Sequence, residues 1–466
     1  MPKRLTAMSV LALAVLTTAV LLVSCSRSPS RPNVVVIVLD TVRLDYTGSG
    51  GTDGRLTPEL DGLAAEGIVF TRAWSNAPWT VPSHASMFTG LLPSSHKCNG
   101  RNFTFLSPEP TFAELLSESG YQTVAFFSNP WLSDKLTGML RGFEERFVEA
   151  GDGTEILTTV DQGGGRTVAN VSAWLSGRSD ERPFLMFVNL LEPHLPYHPP
   201  LDYREARLSD VPRDYVITTA MAQKWNAGLL GPDEIDFESV GRLYGGDVNT
   251  ADRYLGEILR LLKERDVFED AVIIVTSDHG ENLGDHGYMD HQFGVFASLI
   301  DVPLVVRAPG LLPPGVREDP VMLTDVYDTV LEAAGVMTGP ETPHSHSLLG
   351  PPADAARPQI AEYSGANPEL VKYLRQLNPL HDTSRQEVAF SKIRVDSLEF
   401  TVGTDGSRLL YDLKNDPGRE LDLAPGNPAV VGALFELLPA VRHADGVEVE
   451  IDDETRESLR SLGYIR

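Results

Sequence analysis

Largely apolar runs recur along this chain at 33–39, 121–128, 184–189, 271–276 and 302–307. They do not alternate with polar residues, so they read as strands buried on both faces rather than strands with one wet side. Helical punctuation lies between them. Thr57 and Pro58 supply a cap and a first-position proline, with Gly67 as the stop. Thr111 and Glu114 have the spacing of a capping box, ended by Gly120. Strands alternating with helices predict an α/β fold: a large doubly wound, mostly parallel sheet with helices on both faces. The pattern changes late in the chain. Residues 336–387, rich in Pro, Gly and His, read as a long irregular connection, and Glu387–Leu413 carries shorter alternating segments around a Thr404-Asp405-Gly406-Ser407 turn. This predicts a small C-terminal antiparallel α+β subdomain over 341–466, beside a large domain over 33–340. No internal repeat is visible.

Polar chemistry gathers where the predicted strands end. The strand at 271–276 runs into Asp278, His279, Glu281, Asp285, His286, Asp290 and His291. The carboxyl end of an α/β strand is the usual place for ligands, and carboxylate plus imidazole suits zinc, manganese or calcium. An acidic, solvated loop is the plain alternative. Asp40 ends the first strand in the same way. In Pro78–Gly90, Pro82 suits the first position of a helix and Gly90 its stop, which places Thr80 just before a helix N-terminus. Free N–H groups and the dipole there favour an anion and would help activate a hydroxyl, although threonine is also an ordinary cap. Asp40, Thr80, Asp278 and His279 together make a four-ligand set. His291 is a candidate for a second ion, with His194 or His198 and with Glu192 as a further member. The prolines at 193, 196, 199 and 200 keep that segment extended, so it lines a pocket wall if it holds nothing. His286 is equally a candidate for a hydrogen-bonding role behind the ligands.

The ordered pieces are Asp40; Thr80-Val81-Pro82-Ser83-His84 followed by Thr89-Gly90; Glu192-Pro193-His194-Leu195-Pro196-Tyr197; Ser277-Asp278-His279-Gly280-Glu281 with Asp285-His286-Gly287; Val302-Pro303-Leu304; Leu410–Pro417; and Leu459–Tyr464. In this order the chain resembles the sulfatase family of the alkaline phosphatase superfamily, from about Arg31 to the C-terminus. The resemblance implies an alkaline phosphatase-like fold and a metal-dependent ester hydrolase. The departures are informative. Family sulfatases carry Cys or Ser at the position of Thr80 and convert it to formylglycine, which the β-methyl of threonine precludes. The partner Arg of that motif is His84 here, the usual Asp-Asp pair is Asp40-Thr41, and the sulfate-binding Lys falls near His291. These changes are similar to the superfamily's threonine branch of phosphodiesterases, phosphonate hydrolases and phosphoethanolamine or glycerophosphate transferases. There a metal-bound Thr attacks phosphorus through a phospho-threonine intermediate.

The resulting expectation has Thr80, His84 and His194 as catalytic residues. Asp40, Thr80, Asp278, His279 and His291 hold one or two divalent ions, and His194, His198 and His291 meet the substrate. Phosphoester hydrolysis or phosphoryl transfer on a small-molecule, lipid or glycan ester is favoured. Sulfate-ester hydrolysis without formylglycine, and a non-catalytic surface-binding lipoprotein, are the alternatives.

Composition and charge add location. Lys3 and Arg4 precede an apolar run to Val23, and Leu22-Val23-Ser24-Cys25 resembles the bacterial lipobox. Residues 1–24 then read as a signal peptide, Cys25 as the lipid attachment site and 25–32 as a tether, giving an exported membrane lipoprotein that faces the periplasm or the outside. An uncleaved anchor is the alternative. Of two cysteines, Cys98 would be left alone and structural, with no intramolecular disulfide. The formal charge of −26 argues against nucleic-acid binding and would repel anionic esters at long range. Gly163-Gly164-Gly165 reads as a flexible connection rather than a phosphate cradle, and Asp252 as a structural hydrogen-bonding residue on a helix.

Overall fold

The computed structural model describes residues 31–52, 55–99, 108–133, 137–148, 162–179, 181–336 and 342–439. The signal segment with Cys25, and the closing Leu459–Tyr464 motif, lie outside them. Eight strands form the large sheet: β1 (Val34–Leu39), β2 (Ile68–Phe70), β3 (Gln122–Phe127), β4 (Glu145–Val148), β5 (Phe184–Leu190), β6 (Val272–Thr276), β7 (Leu304–Arg307) and β8 (Gly315–Arg317). Their order is β8-β2-β7-β6-β1-β5-β3-β4. Every neighbouring pair is parallel except those made by β7, which runs against both β2 and β6.

The apolar runs have a direct cause. Val34, Val36 and Val38 point into one core and Val35, Ile37 and Leu39 into another on the opposite face, so neither face of β1 admits a polar residue. Each such side chain contributes about 1.5–3 kcal/mol by burial. Among the helices are α1 (Pro58–Glu66), α2 (Thr80–Thr89), α3 (Phe112–Glu118), α4 (Gly164–Gly177), α5 (Phe237–Glu264), α6 (Asp325–Ala333) and α7 (Pro368–Leu377). Residues of α2, α3 and α6 join the first core, and those of α1, α4 and α5 the second.

Helix starts follow the sequence with two amendments. The Thr111–Glu114 capping box of α3 forms in both directions, at 3.1 and 2.9 Å. At α1, however, the Thr57 side chain makes no cap bond. The Asp252 carboxylate, from the middle of α5, accepts the N–H groups of Glu59 and Leu60 at 2.9 and 2.8 Å and so ties two helices together. In α2 the residue before the helix is Trp79, and Thr80 is its first helical residue rather than the one preceding it. Pro82 therefore sits third, still within the turn whose N–H groups need no partner in the helix. Gly90 ends the helix at φ 70° as expected.

The connection at 336–387 is less irregular than its composition implies. It contains β9 (Gln359–Tyr363) and α7. The strand is short and wholly buried, so it has no alternation to read, and the apolar face of α7 (Leu370, Val371, Leu374) is small beside its charged residues. β9 opens a second, antiparallel sheet completed by β10 (Phe390–Val395), β11 (Leu398–Gly403) and β12 (Arg408–Asp412), with the expected turn at 404–407. Asn76 fastens it to the large domain. Its side-chain amide donates to Ile360 O and its backbone carbonyl accepts the Glu362 N–H, both at 2.9 Å.

Within the small sheet the Glu399 carboxylate, fully buried, meets Lys392 at 2.9 Å, Arg394 at 2.8 Å and Arg419 at 2.8 and 3.0 Å. Burial alone would push Glu399 up, but Lys392, Arg419 and Arg394 hold it well below its usual value of 4.5. Glu399→Gln leaves three cations without their anion and should cost about 3–5 kcal/mol in urea unfolding at neutral pH. Because the folded form keeps the carboxylate charged, this contribution is complete above about pH 4.5 and is lost as the pH falls below it. The gap between the natural chain and the variant should close in acid.

Candidate active site

Four adjacent strands of the large sheet, β6, β1, β5 and β3, present their carboxyl ends side by side. β1 delivers Asp40, β6 delivers Asp278 and His279, β5 carries Asn189 near its end and β3 leads to Asn129. This is where an open α/β sheet binds its ligand. Helix α2 brings Thr80 to the same point, and Ser83 locks that helix in place by donating to Asp278 O at 2.6 Å.

Every polar side chain here is buried. Asp40 Oδ2 accepts from Asn129 Nδ2 at 2.8 Å and Asn189 Nδ2 at 3.0 Å, whereas Asp40 Oδ1 accepts no hydrogen bond. Asp278 is split in the same way. Its Oδ1 takes the N–H of Thr41 (3.2 Å) and of His279 (3.0 Å), and its Oδ2 has no hydrogen-bond donor. Asn129 Nδ2 also lies 3.3 Å from Thr80 Oγ1, and His279 Nε2 lies 3.4 Å from the same oxygen. His279 Nδ1 is 2.9 Å from Gly280 O, to which it donates, so Nε2 carries the lone pair. That lone pair faces Asp278 Oδ2 at 3.3 Å. Acceptor thus faces acceptor.

Electrostatics agree with the geometry. Burial, and then Asp40 beside it, push Asp278 well above the usual carboxylate range, and burial pushes His279 well below the imidazole range. Two crowded carboxylates and a neutral imidazole are a donor set for a cation. One ligand atom from each of Asp40, Asp278 and His279 lies within 4.8 Å of the others. Orphaned oxygens, spacing and donor chemistry all fit a divalent ion.

A second cluster adjoins the first. The hairpin formed by Asn282–Leu283 and Met289–Asp290 brings Glu281 against Asp290 and His291. His291 Nδ1 lies 3.1 Å from Asp290 Oδ1 and 3.3 Å from Glu281 Oε1. Burial works against a charge on His291, but Asp290 and Glu281 push it up to about 9. Its ring centre is 4.4 Å from that of His279 and 5.1 Å from that of His194.

The remaining candidates are placed as follows. His84 donates Nδ1–H to Thr80 O at 2.9 Å and passes 3.5 Å from Asp278 Oδ2, with its ring packed edge-on to Phe88 and Phe187. It therefore lies behind the Thr80 backbone. His198 is half-buried, held through its backbone N–H by Asp247, and belongs to neither cluster. Glu192 also stands outside both, because its Oε1 accepts the N–H groups of Gln162 and Gly164 at 3.1 and 3.2 Å and caps α4. The glycine-rich segment before α4 is thus a helix start filled by a carboxylate. His286 stacks on Phe296, centres 3.9 Å apart, away from the ligands. Cys98 is buried.

Sequence reasoning missed Asn129 and Asn189, and it named Glu281 and Asp290 only as members of the Asp/His run, without a role. The first two had a signal: each is a polar residue closing or following an apolar run whose neighbours in the sheet end in Asp40 and Asp278.

A family model described as Sulfatase matches residues 32–336. Arylsulfatase K of Mus musculus is 23% identical over 472 residues, covering 92% of this chain and 82% of the relative. Choline-sulfatase of Rhizobium meliloti is 23% identical over 445 residues, covering 84% and 82%. The crystal structure of a phosphonate monoester hydrolase from Agrobacterium radiobacter superposes with a TM-score of 0.68 at 22% identity, covering 87% of this chain and 94% of that one.

Because one Asn129 amide steadies both Asp40 and Thr80, Asn129→Ala should weaken metal affinity and turnover together, each by about 10–100-fold. Metal titration beside steady-state kinetics checks this, with a melting curve to show the fold intact.

Proposed function

The chain belongs to the sulfatase family of metal-dependent hydrolases in the alkaline phosphatase superfamily, and from that premise we propose that it cleaves phosphate esters with Thr80 as its nucleophile. The observation that carries this reading is the buried Thr80 hydroxyl. It stands at the start of α2, between Asn129 Nδ2 and His279 Nε2, beside the two orphaned carboxylate oxygens. Its β-carbon bears a methyl and cannot become the aldehyde on which formylglycine chemistry depends.

A divalent ion held by Asp40, Asp278 and His279, with Thr80 as a further ligand, would supply the positive charge that acidifies a hydroxyl and polarises an ester. The chain's own groups do the rest. Asn129 and the first turn of α2 aim Thr80 Oγ1, and His84 fixes that turn through the Thr80 carbonyl. Oγ1 forms a bond to phosphorus as the bond from phosphorus to the ester oxygen breaks, and the threonine proton formally ends on the departing alcohol. Water, or a second alcohol in a transfer reaction, then bonds to phosphorus as the bond from phosphorus to Oγ1 breaks; the phosphoryl group leaves on the attacking oxygen, whose proton formally restores the Thr80 hydroxyl. His194 and His198, on the extended loop after β5, are assigned to the substrate's oxygens. The phosphonate hydrolase named above shares this fold and supports the reading by analogy only.

A second reading rests on the relatives named as sulfatases: a sulfate ester of a small molecule or glycan, cleaved by Thr80 without formylglycine. One comparison separates the two. Protein loaded with zinc, manganese or calcium is assayed on p-nitrophenyl sulfate, p-nitrophenyl phosphate and bis-p-nitrophenyl phosphate. Phosphodiester turnover should exceed sulfate turnover and fall about a thousandfold or more in Thr80→Ala. Dominant sulfate turnover would install the second reading instead.

We further propose that the protein is exported and lipid-anchored through Cys25, supported by the basic start, apolar run and Leu22-Val23-Ser24-Cys25. Cys25→Ala should abolish incorporation of labelled palmitate and release the protein from the membrane fraction. Label retained in the variant would refute the anchor.

A further inference from the structure

We infer that the amino-end face of the large sheet docks on a lipid surface through the loop 308–316, so that the ester site opens away from the membrane towards soluble substrate. The inference rests on the lipid anchor proposed at Cys25. Asn33 stands at the amino end of β1, where its backbone O accepts the Val272 N–H and its side-chain O the Phe184 N–H, both at 2.9 Å. The two residues before it are pinned to the same face. Pro32 O accepts the Tyr121 hydroxyl at 3.0 Å, and Arg31 donates to Ser119 O at 2.8 Å with its guanidinium over the Tyr121 ring. Cys25 is six residues from Arg31, a reach of at most about 20 Å. Asp40 lies seven residues along the strand from Asn33, about 23 Å beyond that face. The path round the domain exceeds such a tether, so the carboxyl end of the sheet cannot be turned to the lipid that holds Cys25.

An independent observation lies on the same face. β7 runs against β6, with Arg307 opposite Ile273, so the chain leaves β7 at the amino end of the sheet. It re-enters in β8, where the Gly315 N–H donates to Gly67 O at 2.9 Å. From Ala308 to Val316 the sequence is Ala-Pro-Gly-Leu-Leu-Pro-Pro-Gly-Val, without one charged or polar side chain. Leu312 packs on the core, whereas Leu311 is 53% exposed and Val316 66%, with the prolines and glycines between them exposed as well. An unbroken apolar run held at the surface marks a contact. β7 is two strands from β1, so the loop emerges about 10 Å from Asn33. That closeness to the tether commits the surface to lipid. Charge agrees, because a chain of −26 is repelled by anionic head groups and approaches them most easily through an uncharged stretch.

The test reads orientation and needs no turnover. The full chain is mixed with vesicles of phosphatidylethanolamine and phosphatidylglycerol that contain doxyl-labelled lipid, and flotation reports the anchor. A nitrobenzoxadiazole fluorophore is placed at Leu311→Cys or, on the opposite side, at Leu380→Cys. Leu380 is 96% exposed in the segment that Asn378 ties to Ala227, and Trp225 ties that segment to Gly287, past the carboxyl end of β6. Cys98 is buried and escapes the label. Floated protein should lose fluorescence to the doxyl lipid at 311, where the label sits at the boundary of head groups and acyl chains, and keep it at 380. Circular dichroism checks folding, and Val316→Cys serves where Leu311→Cys does not fold. Equal quenching at the two positions in floated protein, or stronger quenching at 380, would overturn the docking face and leave the anchor standing. Protein that does not float would overturn the anchor and the docking face together.

Discussion

The site depends on a confrontation that an ordinary protein interior avoids, lone pair against lone pair. At the carboxyl ends of β1 and β6 each aspartate has one oxygen tied down by donors and the other left bare, and the bare Asp278 oxygen looks directly at an imidazole nitrogen without a proton. Were both oxygens hydrogen-bonded, the carboxylates would be satisfied and indifferent to a cation. Were neither tied, they would turn. The half-satisfied arrangement fixes direction and leaves a charge deficit, so a cation meets ligands that need little reordering. A rigid sheet is needed to hold such an arrangement, because water or a rotamer change would otherwise relieve it.

The rest of the large domain can be read as support for that arrangement. Thr41, next to Asp40, sits at φ 60°, a costly conformation for a β-branched residue. It is held there by Tyr244 of α5, whose hydroxyl donates to Thr41 O at 2.6 Å and accepts the Arg43 N–H at 2.9 Å. The turn lets the Thr41 N–H reach Asp278 Oδ1. Helix α2 is pinned at both ends, by Ser83 on Asp278 O and by Gly90, where a β-carbon would press to 3.0 Å on Tyr327 of α6. Core packing thereby sets the position of Thr80.

Much of this was legible from residues alone. The apolar strands, their order of use in the chain, the capping box at Thr111 and the residues Asp40, Thr80, Asp278 and His279 all announce themselves, because burial on two faces and ligand chemistry both restrict residue choice. What escaped was decided by tertiary contact. Asn129 and Asn189 are unremarkable amides until the sheet order places their strands beside β1. Glu192 and His198 share a suggestive Pro-rich loop with His194, yet the path of the backbone sends Glu192 to the start of α4 and leaves His198 outside both clusters. Glu281 and Asp290 were visible as acids, but their pairing depends on a two-residue hairpin too short to leave a pattern. The strand at 359–363 and helix α7 were hidden by the prolines and glycines around them.

The capped start of α4 bears on how an anionic ester could approach. A glycine-rich helix N-terminus is a ready anion site, and here Glu192 already fills it. The clusters beside it are dominated by acceptors, and the chain as a whole carries a charge of −26. An ester dianion therefore meets a repulsive field at long range and bare carboxylate oxygens at short range. Against that field, charge reversal must come from within the site. The bare oxygens of Asp40 and Asp278 are where a bound cation would offset that repulsion most directly.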